Sequence, residues 1–204
     1  MKRIALMALL VATSVAACGN SDTAQGPPRK VPVALAPPAL LAGSLTVGLD
    51  TKAEKAFKSV EPKALIADGH LWTIRGAGDR LVGTLQLATL RPEVDLTYQE
   101  DRESVVDTVL PGARASITVA GLDITRSKGD DQKTVFVWFG DGLFQVLQLK
   151  PSRAVPFDPE ALLTEVVTYQ KAQPEWKAVP KRVDGDKRDA GNGNPNAEDP
   201  GWRP

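Results

Sequence analysis

Two apolar runs near the C-terminal third of the chain, Thr134-Val135-Phe136-Val137-Trp138-Phe139 and Leu143-Phe144-Gln145-Val146-Leu147-Gln148-Leu149, flank Gly140-Asp141-Gly142. Asp-Gly between apolar runs is a strong hairpin signal, because a type I′ turn needs positive φ at both central residues. With Asp141 and Gly142 as that turn, Phe139 is expected opposite Phe144 and Val137 opposite Val146. Side chains alternate along a strand, so these four and Val135 share one face, while Phe136, Trp138, Leu143 and Leu147 share the other. Two apolar faces need two covers, which places the hairpin centrally in a sheet.

Earlier stretches alternate more openly between apolar and polar positions: Leu71 to Arg75, Leu81 to Leu90, Arg114 to Val119, and Leu122 to Thr125. In the second, Leu81, Leu85 and Leu87 are expected on one side with Thr84 and Gln86 on the other. Gly76-Ala77-Gly78-Asp79, Ala120-Gly121 and Gly129-Asp130-Asp131 punctuate these runs as turns. Helical spacing takes over elsewhere. Thr97 and Glu100 have capping-box spacing ahead of Val105, Val106 and Val109, and Leu110-Pro111-Gly112 stops that helix. Asp158 followed by Pro159 sets an N-cap with proline at the first helical position, and Leu162, Leu163, Val166 and Tyr169 supply a buried face before Pro174. A third helix begins near Thr51, with Glu54 three residues on and Ala53, Ala56, Phe57 and Val60 inside.

The expected fold is therefore α+β, an antiparallel sheet of about six strands with two or three helices packed on it. The element order and the aromatic hairpin loosely resemble PsbP-like domains, a family of small exported proteins that includes lipid-anchored members. That resemblance implies a fold and transfers no activity.

The N-terminus follows a different logic. Lys2 and Arg3 precede an apolar run from Ile4 to Val11 and small residues from Ala12 to Ala17, the layout of a secretory signal. Ile4 to Ala17 is only fourteen residues, short of the roughly 20 that span a bilayer. Val15-Ala16-Ala17-Cys18 closes the run and resembles the lipobox of bacterial lipoprotein precursors. The resemblance implies cleavage between Ala17 and Cys18, acylation of the Cys18 sulfur, and an extracytoplasmic protein held on a bacterial cell membrane or outer membrane. Gly19, which is not Asp, would permit the outer one. An ordinary signal cut after Ala16 is the alternative reading, and it leaves Cys18 a free thiol. Cys18 is the only cysteine, so the domain uses no disulfide and depends on its core.

These observations divide the chain into a signal (1–17), a proline-rich spacer (18–39), one domain (40–176) and a polar tail (177–204) expected to be disordered. Without Lys2 and Arg3 the mature chain holds 23 basic and 25 acidic residues, which gives no electrostatic reason to expect nucleic acid as a partner.

No pattern of catalytic or metal-ligating residues stands out, and no cofactor is expected. His70 is the single histidine and reads as an ordinary residue at a strand start. Glu100, Asp101, Glu103 and Asp107 complement a helix dipole and line a solvated face. Asp130 and Asp131 suit a turn. In the tail, Asp184, Asp186, Asn192, Asn194 and Asn196 do not complete a calcium loop, and Gly76-Ala77-Gly78 lacks the third glycine of a dinucleotide loop. Trp202 could mark a docking point or a chance position. The expected function is a non-enzymatic, membrane-anchored interaction or assembly module of the envelope with a protein partner. A carrier or sensor holding an apolar or small ligand beside Phe136, Trp138 and Leu147 is the first alternative, and a hydrolase built around His70 the second.

Overall fold

The computed structural model describes residues 30–52, 66–92, 94–110, 112–127 and 133–180. The alternating and doubly apolar runs form strands β1 (Ala39–Leu40), β2 (Leu45–Leu49), β3 (Ile66–Gly76), β4 (Arg80–Leu90), β5 (Arg114–Val119), β6 (Leu122–Ser127), β7 (Thr134–Gly140) and β8 (Leu143–Leu149). All pair antiparallel in one sheet of order β1-β2-β3-β4-β8-β7-β6-β5. Two four-stranded meanders thus meet where β4 pairs with β8. Helix α1 (Gln99–Val109) follows the first meander and α2 (Pro159–Lys171) follows the second. The class is α+β as expected, with eight strands instead of six. The additional pair, β1 and β2, is short, and Leu45-Thr46-Val47-Gly48-Leu49 is interrupted by a glycine that weakens its strand signal.

Each helix covers one face of the sheet. Leu162, Leu163, Val166 and Val167 of α2 join Trp72, Ile74, Leu85, Leu87, Phe136, Trp138, Leu147 and Leu149 in one buried cluster. Val105 and Val106 of α1 join Ala88, Val137, Phe144 and Val146 in another. The hairpin therefore contributes Phe136, Trp138 and Leu147 to one layer and Val137, Phe144 and Val146 to the other, the division that its alternation required.

Register along the hairpin is also as expected, with Phe139 opposite Phe144 and Val137 opposite Val146. The turn type is not. Gly142 has φ +66°, whereas Asp141 is not among the residues with positive φ, so the loop is not type I′. Positive φ at two successive central residues occurs instead at Ala120 (+48°) and Gly121 (+78°), between the paired Val119 and Leu122.

A second difference concerns the start of β4. Ile74 pairs with Gly83 but Arg75 pairs with Leu81, so Val82 is an extra residue in that strand. This bulge reverses the alternation, burying Val82 and leaving Leu81 exposed. Directly after it, a Cβ on Gly83 would lie 2.4 Å from the Gln148 carbonyl oxygen, so the absence of a side chain there lets β8 approach.

At α2 the Asp158 side chain accepts from the Glu160 N–H at 3.0 Å and Pro159 takes the first position, as read. Tyr169 is only half-buried, and Val167 and Gln170 complete the buried stripe instead. No capping box forms at α1: the Thr97 hydroxyl donates to Asp95 Oδ1 at 2.8 Å, and Tyr98 occupies the N-cap without a side-chain bond. The expected third helix falls, after Thr51 and Lys52, outside the described residues.

The chain packs on this core before residue 40 and beyond residue 176. Val31 and Leu35 are buried in the α2-side cluster, and the Val31 N–H donates to Asp68 Oδ2 at 3.2 Å. The Leu41 and Ala42 N–H groups donate to the two Glu165 carboxylate oxygens at 2.6 and 3.0 Å, tying residues 30–45 across α2 as a strap. Beyond α2, the Lys177 carbonyl accepts from the Asp141 N–H at 2.9 Å, and Val179 packs on the α1-side cluster.

Candidate functional site

Strand pairing aligns His70 on β3, Leu87 on β4, Gln145 on β8 and Trp138 on β7 in one row across the sheet. Gln145 alternates with Leu143, Leu147 and Leu149 and so points toward α2, whose Gln170 is also fully buried. Trp138 Nε1 donates to Gln170 Oε1 at 3.2 Å. Neither amide atom of Gln145 has a hydrogen-bond partner, nor has Nε2 of Gln170. Buried amides without partners are costly, of order 1–3 kcal/mol each, and rare in native cores. His70 lies inside β3 with its ring edge-on to Trp72, centroids 5.7 Å apart, a position in the sheet and not at a strand start.

Amides and an indole can orient a polar group by hydrogen bonding, but they do not attack carbon. The buried amides and the indole of the row thus supply recognition chemistry, and its one acid–base or nucleophilic group is the His70 imidazole, packed edge-on against Trp72. Sequence reasoning passed over both glutamines. The available signal was a polar residue sharing parity with three leucines in an otherwise apolar run, and another at the i+4 position from Val166 on a buried stripe.

Set beside protein families, curated proteins and solved structures, the chain matches none.

The residues proposed from sequence distribute as follows. Phe136, Trp138 and Leu147, the expected carrier lining, are fully buried in side-chain contact with the α2 layer. The acids of α1 do not converge: Asp101 Oδ2 accepts from the Asp95 N–H at 2.9 Å, Glu103 Oε1 from Gln99 Nε2 at 2.6 Å, and Asp107 pairs with Arg114. Gly76, Ala77 and Gly78 make the turn between β3 and β4, closed by Arg75, which donates to the Asp79 carbonyl at 3.0 Å. Cys18, Asp130, Asp131, Asp184, Asp186, Asn192, Asn194, Asn196 and Trp202 lie outside the described residues. Among the described residues no group of three His, Cys, Asp or Glu side chains is placed to hold a metal, and no helix is long and apolar enough to cross a membrane.

A groove of about 410 Å³, open to solvent, runs over β2 and β3 between Thr46, Gly48, Asp50, Lys52, Thr73 and Arg75. The side chains of Thr46, Thr73 and Arg75 are turned to internal partners. The Thr46 hydroxyl donates to the Arg75 carbonyl and the Thr73 hydroxyl to the Gly48 carbonyl, both at 3.4 Å, while Arg75 pairs with Asp79 at 3.5 Å. Groups engaged in this way hold a surface together and leave little to recognise a ligand.

Proposed function

We propose that this protein is a lipid-anchored, extracytoplasmic domain of the bacterial envelope that acts as a non-enzymatic interaction or assembly module. The observation that carries this reading is Val15-Ala16-Ala17-Cys18, at the end of a signal-like run too short to span a bilayer. Acylation at Cys18 by two or more chains holds a protein stably on a membrane, because each buried methylene contributes about 0.8 kcal/mol. The centre of the sheet, at β4, β7 and β8, is covered on both faces, and the aromatic side chains that would line a carrier's pocket are packed against α2. That arrangement favours a domain working through its surface.

The carrier reading draws on one specific observation, the partnerless buried amides of Gln145 and Gln170. Native mass spectrometry of the full-length protein, extracted from membranes in mild detergent, separates the two. The module reading expects a chain beginning at Cys18 with acyl mass and nothing more. Additional mass lost on denaturation promotes the carrier, and an unmodified cysteine removes the anchor.

A further inference from the structure

Between Lys30 and Asp50 lie nineteen residues, 31–49, without a single charge, in a chain of which 25% is charged. This uncharged stretch begins with the strap that crosses α2. Its inward side chains, Val31, Leu35, Leu40 and Leu45, are buried in the core. Its outward ones are the unusual part. Val33, Ala34, Pro38, Ala39, Leu41 and Ala42 are all exposed and all apolar, Leu41 by 84% and Val33 by 52%. Scattered exposed leucines need no explanation, but a run in which every exposed position from 32 to 42 is apolar concentrates uncharged surface along one segment.

We infer that the outward side of this strap is a lipid-contacting surface, laid against the bilayer in which Cys18 is anchored; the inference rests on the anchor reading above. Lys30 follows Cys18 by twelve residues. Fully extended, that length reaches at most about 40 Å, so Lys30, where the strap begins, stays within that distance of the anchored sulfur. Tethering makes the contact intramolecular, and a surface too weak to bind a free bilayer then suffices. Lys30 stands where the uncharged run begins, a cation beside the strap that suits anionic headgroups. The acid bound to the strap, Glu165, has both oxygens occupied by the Leu41 and Ala42 N–H groups. Its charge is directed into the strap's backbone.

The test uses the acylated mature chain in vesicles of phosphatidylethanolamine and phosphatidylglycerol that carry spin-labelled, fluorescence-quenching lipid. With Cys18 acylated, a cysteine introduced by Ala42→Cys is the only free thiol and takes a fluorophore. Ser116→Cys, on β5 at the opposite edge of the sheet from β1, serves as the reference. Lipid quenching is expected to be greater at position 42 than at 116 by about fivefold or more, as for side chains seated at the acyl boundary. In the variant Val33→Ser with Leu41→Ser, quenching at 42 should fall to the level at 116 while the protein still floats with the vesicles. Both changes are at exposed positions, and Leu41→Ser alone carries the test if the double variant melts early. Equal quenching at 42 and 116 in floating protein overturns the lipid contact and leaves the anchor standing. Position 42 shielded from an aqueous quencher in native membranes, yet unquenched in vesicles, assigns the surface to a protein and also overturns it. A chain that neither floats nor carries acyl mass overturns the anchor and this inference together.

Discussion

Ala120 holds φ at +48° in the loop between β5 and β6, a region in which a Cβ meets the following carbonyl at a cost of about 1–2 kcal/mol. Asn tolerates that conformation better, and Asn-Gly is the favoured pair for this turn. Ala120→Asn is therefore expected to stabilise the domain by about 0.5–1 kcal/mol, read as a higher urea midpoint with an unchanged m-value. Lys171 Nζ donates to the Ala120 carbonyl at 2.6 Å, a backbone contact that the substitution keeps. The buried glutamines give opposite expectations. Gln145→Met removes two unsatisfied amide atoms at similar volume and should be neutral or stabilising by about 1 kcal/mol. Gln170→Leu strands Trp138 Nε1 without its acceptor and should destabilise by about 1–3 kcal/mol. Equal changes in the two urea midpoints would show that the two amides do not differ in this way.

Among the elements, the strap departs furthest from its sequence reading. A spacer would tolerate truncation of its side chains, whereas Leu35 is fully buried between the sheet and α2. Leu35→Ala is expected to cost about 2–4 kcal/mol in chemical denaturation, the range for a cavity left in a packed core. The proline content of this segment points to an extended spacer. The alternation of inward Val31, Leu35 and Leu40 with outward residues was equally present, but it does not repeat at a strand or helix period. The two helix starts show the same contrast. Asp158-Pro159 is a cap whose donors lie within two residues, so local sequence sufficed. The Thr97–Glu100 box was displaced by Asp95, whose carboxylate accepts from both the Thr97 hydroxyl and its N–H.

For the whole molecule, the proposed anchor at Cys18 is separable in sequence from the two buried clusters, whose described members begin at Val31. Cys18→Ala is expected to move the protein to the soluble fraction while leaving its thermal unfolding midpoint within about 1 °C, since the two buried clusters that set stability are built from Val31 onward. Continued sedimentation with membranes would defeat the anchor reading. Local signals in the sequence determined the hairpin register, the α2 cap, the two-sided apolar character of β7 and β8, and the α+β class. All of these depend on residues a few positions apart. Only the tertiary structure decided the sheet order, with β4 beside β8, the assignment of one helix to each face, the bulge that exchanges Val82 for Leu81, and the burial of Gln145 beside Trp138. The sheet order and the helix assignment follow from contacts between residues tens of positions apart, and the bulge and Gln145, though set between neighbouring strands, follow from which face those contacts cover, where the gain from burying apolar side chains outweighs what any short segment prefers.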